Sequence, residues 1–564
     1  MGDISENVIR AYALENAIKY SGKANQGAVL SGLFAEGLEK SEVKEVIPKI
    51  QKILKEVNSF SLNEQKKRFE LLGNKTSKRD VREGLPELEN VENGKVVMRF
   101  APFPSGPLHI GNARTLILND EYVKKYGGKL ILVMDDTIGS EAKPIEPEAY
   151  KLIEEGVKWL KVEYDKNVIY KSDRIEKYYD YAYELIKKGY MYVCSCAQEE
   201  IRDLRFKGEE CSCRQFHATH QLRRWRDMFS AEEGAMVVRL KTSMSDSDPA
   251  FRDRVMFRIS DRPQAKLGTK YRVYPMLDFA FAIDDHFLGI THILRGMELA
   301  IETRVEKFIW DIFKWKHPEV IYNGHFEIEG VKLSKSKGAI EVKSKKYSGW
   351  NDPRTWSLQS LRDRGFSPDT IRQFILNMGL KKTNVKIPVD VLYSLNKRIL
   401  TEVPRYFFVE NPVKIKIKGS PSLSVDIPFH PNGKLGSRKF NTSQEFLISE
   451  NDYNLMTDGD YRLTHLLNFK SDKIQRIKPR EFSFVSEKSE KNEKIKFMPW
   501  LVSGAGNVKI KIRMPDGLFV EGFGESSLKN LKIGSVIYFE RVGFVRLYSV
   551  DNKSGEMEFW FGHF

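Results

Sequence analysis

Three short segments carry side chains whose types and spacing could do chemistry. The first, Pro104-Ser105-Gly106-Pro107-Leu108-His109-Ile110-Gly111-Asn112, reads as a turn that opens a helix. Glycines let backbone approach a nucleotide closely, a helix amino terminus favours phosphate, and an imidazole there can donate hydrogen bonds to an anionic phosphorus centre. On its own, a Pro/Gly-rich turn with one histidine is more often just a turn. The second segment, Lys332-Leu333-Ser334-Lys335-Ser336-Lys337-Gly338, follows a short apolar strand, Phe326 to Ile328. Three lysines with small hydroxyl residues on a mobile loop could hold the β- and γ-phosphates of a nucleoside triphosphate and neutralise charge as pyrophosphate leaves. A lone KSK run is by default a solvated loop. The third holds all four cysteines, as Cys194-Ser195-Cys196 and Cys211-Ser212-Cys213. Two close pairs fit one tetrahedral thiolate site, with Zn²⁺ as the expected ion and a structural role, since four thiolates leave no position open for water. Free buried thiols are the plainer alternative.

The elements that must position these segments are legible in the periodicity. Val96 to Phe100 predicts a strand, the first segment leads into a helix through Leu116, Leu118 and Tyr122, and Lys129 to Met134 predicts a second strand ending in Asp135 and Asp136. Strand, loop, helix, strand opens a parallel α/β fold, with chemistry expected at the carboxyl ends of the strands. Upstream, residues 1 to about 80 show helical spacing (Val8, Ala11, Leu14, Ile18; then Val43, Val46, Ile47, Ile50, Ile53, Leu54), and the polar stretch Gly73 to Gly94 reads as a linker. Residues 350 to 400 are again helical, with Ser367-Pro368-Asp369 as a helix start. Beyond 404 the period changes to two: Val413, Ile415 and Ile417 alternate with lysines, as do Val508, Ile510 and Ile512. That predicts one or two antiparallel barrels or sandwiches, with Ser486 to Lys496 as a solvated hairpin or loop.

A chain of 564 residues exceeds what one core usually organises, so several domains are expected. Lys plus Arg exceed Asp plus Glu by 92 to 77, a formal charge of +15 spread along the chain, which suits a long polyanion as well as it suits a merely basic surface. No long apolar run suggests a membrane span, and Met1 to Arg10 lacks the apolar core of a secretory signal, so a cytoplasmic location is expected.

The first two segments, in this order and separation, resemble the HIGH and KMSKS motifs of the class I aminoacyl-tRNA synthetases, here HIGN and KLSKS. The stretches RFAPFPSGPLHIGNART, YRVYPMLDFAFAIDDHFLGITHILRGME and GVKLSKSKG are similar to the glutamyl and glutaminyl subgroup. The SGKAN helical extension, the β-rich carboxyl half and the ending IYFERVGFVRLY resemble the archaeal-type glutamyl-tRNA synthetases, over essentially the whole chain. The resemblance implies a multidomain fold: an N-terminal helical domain (1–85), a Rossmann-like catalytic domain in two halves (95–190 and 271–345), a zinc-containing insertion that grips the tRNA acceptor end (191–270), a helical stem-contact region (346–403) and C-terminal anticodon-binding β-barrels (404–564). It implies ATP-dependent, AMP-forming activation of L-glutamate with Mg²⁺, then transfer to the 3′ end of tRNA(Glu), with tRNA(Gln) an open second substrate.

The same resemblance assigns residues. His109, Asn112, Lys332 and Lys335 would do the phosphate work, in an ATP site with Pro104, Gly106, Gly111 and Ser334. Arg99, Asp135, Leu277 and Arg295 would face glutamate: two guanidiniums suit a doubly anionic substrate, Asp135 matches the receiver of the α-amino group, and Arg295 favours glutamate because glutaminyl enzymes lack it. Family members often use a histidine as one zinc ligand, and His217 and His220 lie near enough to substitute. The chain departs from the family pattern at Asn112 for the second histidine, Val133 for an arginine, Leu277 for a tyrosine, Phe281 for a small polar residue and Leu299 for a histidine. A glutaminyl-tRNA synthetase and a tRNA-binding paralogue of altered specificity are the competing readings, opposed by Arg295 and by the intact KLSKS.

Overall fold

The computed structural model describes residues 5–19, 22–36, 38, 42–72, 84–331, 335–471, 482–488, 495–504 and 506–564. Lys332, Leu333 and Ser334, the side chain of Lys335, most of the expected linker (73–83) and the middle of the charged segment (489–494) lie outside the described residues. The chain divides into two compact units, Met1–Pro86 and Glu87–Phe564. In the first, α1 (Glu6–Lys19), α2 (Gln26–Ala35), α3 (Val43–Val57) and α4 (Leu62–Leu72) enclose Ile9, Leu14, Val29, Leu33, Ile50 and Val57. Gln65 is buried there and its amide NH₂ donates to the carbonyls of Gly22 and Val57, both at 2.9 Å, which ties α4 to the turn after α1 and to the end of α3.

The second unit begins with β1 (Val97–Phe100), α5 (Ile110–Tyr126), β2 (Lys129–Met134), α6 (Pro147–Trp159), β3 (Ile169–Tyr170) and α7 (Ile175–Lys187). The three strands pair in parallel, and β2 is buried from Leu130 through Met134, as expected of a strand covered on both faces. An antiparallel sheet follows, β4 (Met191–Cys194), β5 (Val237–Leu240), β6 (Val255–Ile259) and β7 (Val273–Pro275), carrying α8 (Gln198–Lys207) and α9 (Ala218–Met228). One face joins the parallel layer, where Trp225, Val238 and Phe257 share an apolar cluster with Val133 and Phe279, and the other carries a small cluster of its own, with Tyr192, Cys194, Ile201, Cys211 and Cys213.

The chain then re-enters the parallel layer through α10 (Leu277–Phe287), β8 (His292–Gly296), α11 (Ala300–Phe313) and β9 (Glu319–Asn323). Thr291, directly before β8, donates its N–H to the Val97 carbonyl and accepts the Val97 N–H on its hydroxyl, both at 2.9 Å. This sets β8 beside β1, giving the order β9-β8-β1-β2-β3. Strands fill outward from β1 in opposite directions, so the carboxyl ends of β1 and β8 part at a topological switch point, where open α/β sheets keep their ligand crevice.

Next come β10 (Phe326–Glu329), α12 (Lys335–Lys343), α13 (Leu358–Asp363), α14 (Pro368–Met378), β11 (Val385–Pro388) and α15 (Val389–Ile399), with β10 and β11 paired in parallel. Ser367 caps α14 by accepting the Asp369 N–H, and Pro368 occupies the first turn, as its lack of an N–H allows.

The carboxyl half holds two seven-stranded sheets. One combines Arg405–Tyr406 and Phe408–Glu410 with the five strands from Val508 to His563, and the other, from Pro412 to Val502, is inserted within it. In the strand Pro412–Lys418 the lysines are exposed while Ile415 and Ile417 are buried, the alternation expected of a half-buried strand. The sheets are not purely antiparallel: each contains two parallel pairings, among them Val508–Arg513 with Met557–His563. Apolar alternation reports which face is buried and carries no information on the direction of the neighbour, which is why the sequence reading missed this.

Candidate active site

The turn after β1 delivers the first chemical segment to the start of α5. His109 is the N-cap: its Nδ1 accepts the N–H groups of Gly111 (3.1 Å) and Asn112 (3.4 Å), and Asn112 Oδ1 accepts the His109 N–H at 3.2 Å. This reciprocal capping box satisfies the N–H groups of His109 and Gly111, while the Asn112 N–H is shared with the His109 carbonyl at 2.9 Å. An accepting Nδ1 puts the proton of the neutral ring on Nε2, and the Asn112 carbonyl oxygen is used for the cap, leaving its amide NH₂ as the donor end. Both residues line a cavity of about 780 Å³ at the switch point, together with Gly111, Arg99, Asp135, Leu277, Phe281, Arg295 and Leu299. Pro104 and Gly106 do not wall it. The Pro104 carbonyl accepts the Glu146 N–H at 2.9 Å, and Gly106, at φ 149°, lies so close to Trp350 that a Cβ would meet the indole at 2.8 Å. Gly338, at the end of the KLSKSKG segment, abuts the same indole.

The two cavity arginines present different edges. Arg99 spends its side-on pair on Asp285, with Nε bonded to Oδ1 and Nη2 to Oδ2 at 2.8 Å. Burial works against the Arg99 charge, yet Asp285, Glu306 and Asp135 hold its pKa above the ordinary guanidinium value. Arg295, on β8, is held through Nη1 alone, which donates to both Glu306 oxygens (3.0 and 2.8 Å) and to Thr303 (3.0 Å). Its Nε and Nη2 are buried without a hydrogen-bond partner. That edge is the parallel fork that matches a carboxylate. Burial pushes the Glu306 carboxyl up to about 7 against the pull of Arg295.

Several groups shaping the site carry no sequence signal. Asp285 and Glu306 lie inside helices and read as ordinary helix residues; only the pairing of β1, β8 and α11 in space discloses them as counterions. Lys171, following β3, is fully buried with its ammonium 2.9 Å from Asp135 Oδ1. The neighbouring Asp136 accepts the N–H (2.9 Å) and hydroxyl (2.8 Å) of Ser172 and the Tyr150 hydroxyl (2.9 Å), while burial raises its pKa. Arg114, inside the first segment's helix, donates to the carbonyls of Gly324 (2.8 Å) and Gly379 (3.2 Å), tying α5 to the floor of the cavity. The apolar departures Leu277, Phe281 and Leu299 all face the cavity, whereas Val133 is buried in the core.

The four cysteines converge at the end of β4 and the turn before α9, their sulfurs all within 4.8 Å of one another and Cys196 Sγ 3.8 Å from Cys213 Sγ. A tetrahedral shell with metal–sulfur bonds of about 2.3 Å has sulfur–sulfur edges of about 3.8 Å, so the donor set fits Zn²⁺. His217 instead caps α9 by accepting the Thr219 N–H, and His220 stacks on Phe216 at 4.5 Å; neither joins the cysteine cluster.

Comparison with known proteins agrees with this geometry. Residues 95–402 match the family described as tRNA synthetases class I (E and Q), catalytic domain, and residues 403–484 match the corresponding anti-codon binding domain. The glutamate–tRNA ligase of Methanocaldococcus jannaschii is 41% identical over 550 residues, covering 97% of this chain and 98% of the relative. Those of Pyrococcus abyssi (40% over 566 residues, 97% and 98%) and Methanothermobacter thermautotrophicus (37% over 569 residues, 99% of each) are similar along their whole lengths. The chain belongs to the class I tRNA synthetases of the E and Q type.

Proposed function

We propose that this protein is a glutamate–tRNA ligase: it activates L-glutamate with ATP to glutamyl-adenylate and passes the acyl group to the 3′ end of tRNA(Glu). The observation that carries this is end-to-end similarity, near 40% identity, to relatives named for that reaction. The unmatched fork of Arg295 supports it at the level of chemistry, since a guanidinium edge buried without a partner favours a carboxylate and repels the NH₂ of a glutamine amide. Asp135 would take the α-ammonium. His109 and Asn112 would donate to the phosphates at the start of α5, and Lys332, Ser334 and Lys335 would stabilise the charge that develops as pyrophosphate leaves. Mg²⁺ bound with ATP would supply further neutralisation of the triphosphate. No side-chain nucleophile is required, so catalysis rests on positioning and charge stabilisation.

The cysteine cluster would hold one structural Zn²⁺ in the insertion, which would grip the acceptor end, while the barrels would read the anticodon; the domain limits given above are part of this reading. tRNA(Gln) is a second candidate substrate. No helix among the described residues is long and apolar enough to cross a membrane, compatible with the cytoplasmic setting of tRNA charging. The test is aminoacylation of purified tRNA with each of the twenty amino acids. Glutamate alone, with tRNA(Glu), is the expected result; glutamine charging or none would replace this reading by one of the two rivals.

A further inference from the structure

Lys171 belongs to none of the family motifs, yet it sits at the amino-acid end of the cavity. The β2–β3 register pairs Met134 with Tyr170, so the next residues, Asp135 and Lys171, face each other across the strand ends. The Lys171 side chain has no exposed surface, its Nζ lies 2.9 Å from Asp135 Oδ1 and 3.2 Å from the Phe281 ring centroid, and it makes no well-directed hydrogen bond. Arg99 lies over the same ring, with Cζ at 3.9 Å. Asp135 and Phe281 line the cavity and Lys171 lies behind them. Nearby Asp284 is already taken by Arg174 and by Tyr178 (2.6 Å each), which leaves Asp135 as the ion-pair partner of Lys171.

We infer that Lys171 is a positioning residue for the amino-acid pocket: it fixes Asp135 by one carboxylate oxygen and so presents the other to the substrate ammonium. This rests on the proposed glutamate reading. A carboxylate at a strand end has a freely turning terminal bond, and an ion pair on one oxygen removes that freedom before the ligand arrives, which is where the affinity comes from. Phe281 contributes the aromatic face that offsets part of the cost of burying the ammonium, and its bulk keeps Lys171 out of reach of ligands in the cavity. Lys171 thus acts on the substrate's ammonium through Asp135, not on its carboxylates.

Glutarate, which has both carboxylates of glutamate and no amino group, separates these roles. In ATP–pyrophosphate exchange with tRNA present, K171M should raise the KM for glutamate about tenfold or more. The KM for ATP and the inhibition constant of glutarate should stay within about twofold, and K171R should recover most of the glutamate KM. Equal weakening of glutamate and glutarate, or an unchanged glutamate KM, overturns the inference. Should K171M not fold, K171M/D135N, which leaves no unpaired carboxylate, is compared with D135N. Equal glutamate and glutarate constants for the two support the inference, and a further loss toward glutarate overturns it. A wild type that fails to prefer glutamate over glutamine would instead sink the parent reading, whatever Lys171 does.

Discussion

The Arg295–Glu306 pair makes the recognition of a carboxylate sensitive to pH. Glu306 is buried among Arg295, Thr303, Asp285 and Arg99, and its pKa is pushed up to about 7 by burial, with Arg295 opposing. Below pH 7 the neutral carboxyl leaves the Arg295 charge uncompensated, so an incoming carboxylate is held more strongly. The KM for glutamate should therefore fall by several-fold as pH is lowered from 8 to 6, and Glu306→Gln should abolish that dependence while the ATP KM is unmoved. The stability effect has its own sign: the folded state binds more protons than the unfolded between about 4.5 and 7, so this group's contribution is present at low pH and lost as pH rises through that window. Arg295→Gln tests the other half of the pair. Glutamate use should drop by about 2 to 5 kcal/mol, the range for truncating one member of a buried charge pair, and the glutamate-to-glutamine ratio of kcat/KM should collapse. An unaltered ratio would mean that Arg295 only neutralises Glu306.

Two elements are held by contacts that a sequence motif describes only in part. The turn before α5 and the glycine that ends the KLSKSKG segment both pack on the Trp350 indole, whose Nε1 donates to Glu148 at 2.6 Å. Gly106→Ala combines a positive φ with a contact of 2.8 Å and should cost about 1 to 3 kcal/mol, read as a shift in denaturation midpoint. Adding Trp350→Leu should return part of that loss, because one of the two penalties is then relieved. In the insertion, the cysteine cluster lies at the end of β4, where Tyr192 bonds Asp253 at 2.8 Å and approaches Cys211 Sγ at 3.5 Å. Protein prepared without chelator should contain one zinc per chain, and Cys194→Ser should lose it and open β4 and α9 to hydrogen exchange. Full metal content in that variant would leave the cluster as four packed thiols.

At the scale of the second unit, the final strand closes against the helical region through buried polar groups. Arg364 donates to the carbonyls of Phe561 (3.2 Å) and Gly562 (2.8 Å), and His563 Nε2 meets the Asn396 amide at 2.9 Å. Burial holds His563 down to about 4. A histidine with a depressed folded pKa leaves the folded state with fewer bound protons between about 4 and 6.5. Its contribution is therefore intact above 6.5 and is lost as pH falls through that window, by about 3 kcal/mol at the end. His563→Gln should flatten the fall of melting temperature across that window relative to wild type. An identical slope in the two proteins would place the acid sensitivity in other groups. Because the seven-stranded sheet of 405–410 and 508–563 brackets the inserted one in the chain, early and late strands depend on each other for closure.

The sequence alone determined the elements and the chemistry of the signature segments. Periodicities of 3.6 and 2 are local consequences of burying one face, so β1, α5, β2, the α14 cap and the lysine-alternating strands could all be read from spacing. The cysteines were legible as two close pairs, and the fold brings the pairs together where the end of β4 meets the turn before α9. Tertiary structure decided what those residues face. Arg99 and Arg295 look alike in the sequence, and only the approach of α10 to β1 and of α11 to β8 gives one an occupied fork and the other a buried, unmatched one. Lys171 reads as one more surface lysine until β3 pairs with β2 and sets it against Asp135. Charge is a property of a residue, but partnership depends on contacts separated by tens to hundreds of positions, and no local pattern encodes those.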